Sequence, residues 1–74
     1  MRLCDVNQDT IVKVFRIDIE RIDIVRRLKE IGVAADKNIR FIKKSKISKC
    51  ILIESLGSVF ILDKYISERV ICYE

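Results

Sequence analysis

The chain has 74 residues, of which 50% are apolar and 35% are charged, with no proline, two glycines and a net charge of +4. This is the composition of a folded domain rather than of a disordered or fibrous chain, and the length predicts one small domain over residues 1–74. Histidine is absent, so the commonest general base and the commonest transition-metal ligand are both missing. We therefore expect no enzymatic activity and no bound cofactor.

The cysteines and the apolar runs indicate the cellular compartment. Cys4, Cys50 and Cys72 are far apart and lack C-x-x-C spacing, so we expect reduced thiols in the core rather than a disulfide framework. Cys4 and Asp5 are the one compact pair of potential iron ligands, which is too few for a specific site. The N-terminus has no signal-like apolar segment, and no apolar run approaches the roughly 18–20 residues that span a bilayer. The sequence predicts a cytoplasmic protein.

The first two predicted elements are a strand and a helix. Residues 11–17, IVKVFRI, are rich in β-branched and aromatic side chains, which favours a strand. From about Ile19 the apolar period becomes helical. The helix is expected to bury one face, with Asp18 and Glu20 near its positive N-terminal end and Arg26, Arg27 and Lys29 near its negative C-terminal end. Its expected structural residues are Val25, Leu28 and Ile31, together with Ile24, and Gly32 as the left-handed C-cap.

Four more strands are predicted after the helix, at 38–44, 49–54, 58–62 and 70–73. SKIS, residues 45–48, predicts a hairpin loop, and Gly57 a tight turn or bulge where a side chain would not fit. Asp63 can cap a short helical turn within 63–69. The fold class is mainly β. It is an SH3-like small five-stranded barrel with one α-helix between strands 1 and 2 and a short helical turn before the last strand.

Several of these segments resemble the ferrous iron transport protein A (FeoA) family over nearly the whole chain from about Leu3. The helix end RRLKEIG matches the family's basic pair, Leu and apolar-Gly step at Arg26, Arg27, Leu28, Ile31 and Gly32. Gly57 matches the family's second glycine, in the hairpin before the fourth strand. Two family turns differ, because Ala35 and Asp36 replace a Pro-Gly turn and the region of Gln8 and Asp9 lacks a glycine.

The resemblance implies an SH3-like barrel with an accessory role beside the membrane ferrous iron permease that carries a GTP-binding domain, an FeoB-like partner. Such a protein would be peripheral to the membrane through that partner. The same module also occurs at the C-terminus of iron-dependent repressors, but this chain has no room for a DNA-binding domain. The expected partner-docking residues are Arg26, Arg27, Lys43 and Lys44.

Two groups of charged residues have more than one possible role at this point. Arg26 and Arg27 could be an arginine finger for a GTPase, docking charges, or only partners of the helix dipole. The basic hairpin from Arg40 to Lys49 could meet phosphates, an acidic protein or anionic lipid, which leaves a small nucleic-acid-binding barrel as the alternative function. Nucleic acid is not the expected partner, because Phe15, Phe41 and Phe60 are predicted in the core rather than exposed for base stacking.

Overall fold

The structure is a computed structural model, and residues 1–73 are described. A 3₁₀ turn at Leu3–Asp5 precedes strand β1, Thr10–Ile17, and helix α1, Ile22–Glu30. The remaining elements are β2 at Asn38–Lys44, β3 at Ile51–Ser55, β4 at Ser58–Leu62, the short helix α2 at Lys64–Ser67, and β5 at Val70–Cys72. The mainly β fold with one helix after the first strand and a helical turn before the last is confirmed.

The five strands form one antiparallel sheet in the order β4-β3-β2-β1-β5. The first half of β1 pairs with β2, where Thr10 lies opposite Phe41, and its second half pairs with β5, where Ile17 lies opposite Val70. The register shifts between Val14 and Arg16, as at a β-bulge, which bends a strand and increases its twist. Strand β1 thereby pairs with β2 along its first half and with β5 along its second half.

The side chains that point into the sheet's concave side form a single core. Leu3, Val14, Val33, Ile39, Phe41, Ile51, Ile53 and Val70 are among its most deeply buried members. The β2 and β3 strands each bury alternate residues, as expected for strands with one face packed inward. Leu28 brings the helix onto this core and is 3% exposed, whereas Val25, which we expected to be buried, is only partly buried at its margin. A helix that packs against a sheet buries only a narrow stripe of its own surface. Val25 lies beside that stripe and is therefore only partly covered.

Helix α1 begins three residues later than its periodicity suggested. Ile19 is buried, but the backbone here is still extended, since the N–H of Asp18 donates to the carbonyl of Arg69 and Arg21 is the extended N-cap. Glu20 therefore precedes the helix, and the acid in its first turn is Asp23. The carboxylate of Asp18 accepts from Arg16 Nε at 2.8 Å instead of capping the helix.

Helix α1 ends at Gly32, where both the backbone conformation and the surrounding atoms require glycine. Gly32 has φ +89°, and its N–H donates to Lys29 O while the N–H of Val33 donates to Leu28 O; this pair of bonds is a Schellman motif. A Cβ at Gly32 would also collide with Ser55 Oγ and lie 2.8 Å from Leu56 Cγ. Both the left-handed backbone and the close approach of the β3–β4 turn therefore exclude a side chain there.

The β3–β4 turn consists of Leu56 and Gly57 alone, with φ values of +51° and +78°. Two positive φ values in a two-residue hairpin loop define a type I′ turn. The steric reason that we expected for Gly57 is wrong, because a Cβ there would meet nothing within 4 Å. Glycine is favoured at this position by its backbone conformation and not by a lack of space.

Candidate docking surface

The expected docking residues all lie on the surface. Arg26, Arg27, Lys43 and Lys44 are exposed, and within residues 1–73 none of the four forms an ion pair. Other arginines form ion pairs. Arg21 Nη2 lies 2.6 Å from Asp23 Oδ2, and Arg40 lies 3.5 Å from Asp9 and 3.6 Å from Glu54. The four predicted residues are thus cations whose charge is not already neutralised by a neighbour.

An apolar groove runs between α1, β4 and α2. It is about 550 Å³ in volume, within the range of sites that hold small molecules or a few side chains of a partner. Its apolar lining is Ile24, Leu28, Ile31, Phe60, Ile61, Leu62 and Ile66. Arg27 stands at its rim together with the Arg21–Asp23 pair, in which the hydrogen bonds from Arg21 hold the pKa of Asp23 below its usual value. Arg26 does not line the groove.

A second shallow groove, on the outer face of β2, β3 and β4, carries the two lysines. Lys43 lies opposite Leu52, and Leu52 lies opposite Ile61, so the three side chains follow one row across the sheet. Ile61 is 72% exposed and lines both this groove and the one beside α1. Ile61 was not among the expected docking residues, although its alternation with the buried Leu62 indicates that it faces outward. Ile61 therefore belongs both to the groove that Arg27 borders and to the groove that Lys43 lines.

The thiols are not arranged as nucleophiles or as metal ligands. Cys4 and Cys72 are buried, and burial raises the pKa of both thiols, so both stay protonated near neutral pH. Cys4 Sγ donates to Asp5 Oδ1 at 3.7 Å, while Asp5 pairs with Arg2 at 3.1 Å. Cys50, expected in the core, is only partly buried and lines the outer groove. No three Cys, Asp or Glu side chains in residues 1–73 are grouped to hold a metal ion.

The aromatic side chains differ from the expectation at Phe15. Phe41 is in the core and Phe60 packs against it, but Phe15 is 44% exposed and meets Tyr73 edge to face at 5.0 Å. Phe15 faces outward because β1 alternates and Val14 takes the inward position. It lies five residues along β1 from Thr10, which is opposite Phe41. The exposed aromatic pair and the basic hairpin therefore lie toward opposite ends of β1, which is not the interleaving that base stacking requires.

The fold defines a class of protein. A small antiparallel sheet of five strands, whose bulged first strand pairs with both β2 and β5, is that of an SH3-like domain. The helices of residues 1–73 are all too short or too polar to cross a membrane.

The family follows from comparison with known proteins. The model of the FeoA domain matches residues 1–74, so the chain belongs to the FeoA domain family. No protein with curated annotation matches the chain.

Solved structures share the fold at low sequence identity. FeoA from Chlorobium tepidum superposes with a TM-score of 0.86 at 14% identity, over 99% of this chain and 69% of that one. FeoA from Stenotrophomonas maltophilia, complexed with zinc and described as a prokaryotic SH3 domain protein, gives 0.79 at 22% identity over 99% and 89%. ScaR with bound Zn²⁺ gives 0.84 at 19% identity over 100% of this chain and 36% of that chain. In ScaR the same fold is thus about a third of a longer protein.

Proposed function

We propose that the protein is a cytosolic accessory factor of ferrous iron uptake, and that it acts by binding the membrane iron permease that carries a GTP-binding domain. The observation that carries this proposal is the match of the whole chain to the FeoA domain, a family associated with ferrous iron transport. The S. maltophilia FeoA is described as a candidate activating factor of ferrous iron transport.

The groove between α1, β4 and α2 is the proposed anchor for the permease. It offers a continuous apolar floor, with Phe60 partly buried and Ile61 exposed at its margin. Apolar and aromatic side chains in a desolvated pocket supply most of the binding energy of protein interfaces. A partner side chain placed there would exclude water from a surface that the isolated domain leaves open.

Arg26, Arg27, Lys43 and Lys44 are the proposed steering charges. They are exposed and carry no ion pair within residues 1–73, so their field is available to an acidic surface. Charges at the rim of an interface act mainly on the association rate and on its dependence on salt. We assign Arg27 the larger effect, because it stands on the groove while Arg26 does not.

The first experiment is ferrous iron uptake in a strain deleted for the gene and complemented with variants. We expect Arg26→Glu with Arg27→Glu, and separately Ile61→Asp, to lower uptake while leaving circular dichroism unchanged, because all three side chains are exposed. The matched control is Lys13→Glu with Lys37→Glu, which reverses two other exposed charges and should sustain wild-type uptake. Normal uptake in the deleted strain would rule out the transport role.

A second measurement separates docking charges from an arginine finger. If the arginines only dock, the double reversal weakens binding to the permease's cytosolic part about tenfold or more, and any stimulation of GTP hydrolysis returns at saturating concentration. A finger would instead leave stimulation absent at saturation, because the group that stabilises the transition state is gone. Loss of stimulation without loss of binding would therefore overturn the docking assignment.

A further inference from the structure

The β2–β3 loop projects a defined tip from the sheet. It is closed by the N–H of Ser45 donating to Cys50 O at 2.9 Å and the N–H of Lys49 donating to Ser45 O at 3.1 Å. Ser45 Oγ also accepts from the N–H of Ser48 at 3.2 Å. These bonds hold a short loop in one arrangement, so its side chains are presented before any partner arrives.

The positive charge of the protein is concentrated around this loop. Residues 37–53 contain six of the fifteen Lys and Arg and none of the eleven Asp and Glu. This segment therefore carries +6, and the rest of the chain carries −2. Arg40 is neutralised by Asp9 and Glu54, whereas Lys43, Lys44, Lys46 and Lys49 form no ion pair within residues 1–73. The loop gives the molecule a strongly directional positive field.

The cleft at the base of the loop adds to this field. Lys44 and Lys49 line it together with two further cations, Arg2 and Lys64, and two acids, Asp5 and Glu68. Both acids pair with Arg2, at 3.1 and 3.6 Å. With four cations and two acids, the cleft keeps a net positive charge.

At the tip, an apolar side chain stands within the lysines. Ile47 is 96% exposed, the most exposed large apolar residue of the protein. It lies between Lys46 and Lys49 in sequence, and every residue from Lys43 to Lys49 is exposed. A lone apolar side chain at the tip of a projecting, preordered loop contributes nothing to the core, and the cations around it favour an anionic surface.

We propose that the β2–β3 loop docks the protein on an anionic membrane surface, with Ile47 inserted at the boundary between headgroups and acyl chains and with Lys46 and Lys49 against lipid phosphates. Polybasic segments are attracted to anionic leaflets by each Lys or Arg near the surface, and an apolar side chain that enters the acyl boundary adds to this attraction. The contact differs from the permease surface of Arg26 and Arg27 and does not depend on it. It would hold the domain beside its membrane partner with the loop toward the bilayer.

A bilayer fits the loop better than a nucleic acid does. Phosphate contacts would use the lysines, but Ile47 has no aromatic face for a base to stack on, and the exposed Phe15 and Tyr73 pair lies toward the other end of β1. In a bilayer both kinds of side chain are used at once, since the lysines stay among the headgroups while the isoleucine enters the apolar layer.

The protein contains no tryptophan, which gives a direct optical test of insertion. Ile47→Trp is titrated with vesicles of phosphatidylcholine alone and with vesicles containing about 30% phosphatidylglycerol. We expect a blue shift of the emission only with the anionic vesicles, reversed by about 0.5 M NaCl because screening weakens the attraction. The control is Ile22→Trp, at an exposed apolar residue at the start of α1, and it should show no shift.

Sedimentation with the same anionic vesicles tests the charges without a probe. Lys46→Gln with Lys49→Gln should weaken binding about 25-fold, since each lysine contributes about fivefold. Ile47→Ser should weaken it about tenfold, the lower end of what burying such a side chain contributes. Arg26→Gln with Arg27→Gln removes the same net charge elsewhere and should change binding less than about threefold.

Each contrary result would overturn the proposal. Equal losses from the lysine and arginine pairs would mean that overall charge, and not the loop, drives binding. An equal shift of the Ile47→Trp probe with neutral vesicles, or of the Ile22→Trp probe with anionic ones, would exclude charge-directed insertion of this tip. Binding of a single-stranded oligonucleotide by the loop without vesicle binding would assign it to nucleic acid instead.

One further result would support the proposal. If the Arg26 and Arg27 reversal reduces iron uptake but leaves vesicle binding intact, the membrane contact is separate from the permease contact.

Discussion

The two hairpins that share β3 are built in opposite ways. At one end, β3 turns into β4 through two residues, Leu56 and Gly57, and this turn presses on the backbone of Gly32 at the end of α1. At the other end, β2 reaches β3 through a wider loop that is exposed from Ser45 to Lys49 and has four lysines in or beside it. The tight turn is part of how the helix is fixed to the sheet, whereas the wide loop is held only by its own hydrogen bonds.

This difference indicates where stability and where recognition reside. A residue in contact with a neighbouring element transmits a substitution to the packing of that element, as at Gly32. A residue with no neighbours transmits nothing to the fold, as at Ile47, and any effect of replacing it must appear in binding. Substitutions at the two hairpins should therefore separate the free energy of unfolding from partner binding.

The largest effect is expected at Gly32. Gly32→Val should lower the free energy of unfolding by about 2–5 kcal/mol, because it adds a strained left-handed backbone to a collision with Ser55 and Leu56. Urea denaturation followed by circular dichroism measures it. Gly32→Ala retains the Cβ collision with less backbone strain and should recover only part of the loss. Wild-type stability of either variant would contradict the close packing of the turn on the helix end.

A smaller effect is expected at Gly57, where only the backbone conformation matters. Gly57→Val should cost about 1–2 kcal/mol, the strain of a β-branched residue in the left-handed region, since its Cβ would meet no atom within 4 Å. Gly57→Asn should be nearly neutral, because Asn tolerates this region best among residues with side chains. The same denaturation assay decides this, and a loss at Gly57→Val as large as that at Gly32→Val would remove the distinction between the two glycines.

The smallest effect on stability is expected at the tip of the wide loop. Ile47→Ser should change the free energy of unfolding by less than about 0.5 kcal/mol, because substitutions of exposed side chains without partners are usually this mild. The variant should unfold at the wild-type urea midpoint. A clear loss of stability would mean that Ile47 packs on the fold, which would undo its assignment to an external surface.

Much of the fold follows from local patterns in the sequence. Segments rich in β-branched and aromatic residues predicted the strands. The step from Ile31 to Gly32 predicted the end of α1, because a left-handed C-cap is a local preference of glycine. Asp63 was predicted as the N-cap of the short α2 helix, and its carboxylate accepts from the N–H of Ile66 at 2.9 Å. These features depend on residues within a few positions of one another, which is the range over which a sequence can be interpreted directly.

What depended on distant partners came only from the tertiary structure. The start of α1 at Ile22 follows an extended segment in which the N–H of Asp18 bonds to the carbonyl of Arg69. Phe15 lies outside because the core takes the Val14 face of β1. The joining of the two grooves at Ile61 likewise depends on the order of strands. Hydrophobic periodicity records which side chains avoid water but not which neighbours cover them, since that is decided by contacts between residues far apart in the chain. The sequence by itself therefore determined the elements, the family resemblance and the basic hairpin, while packing decided which of the exposed side chains share a surface.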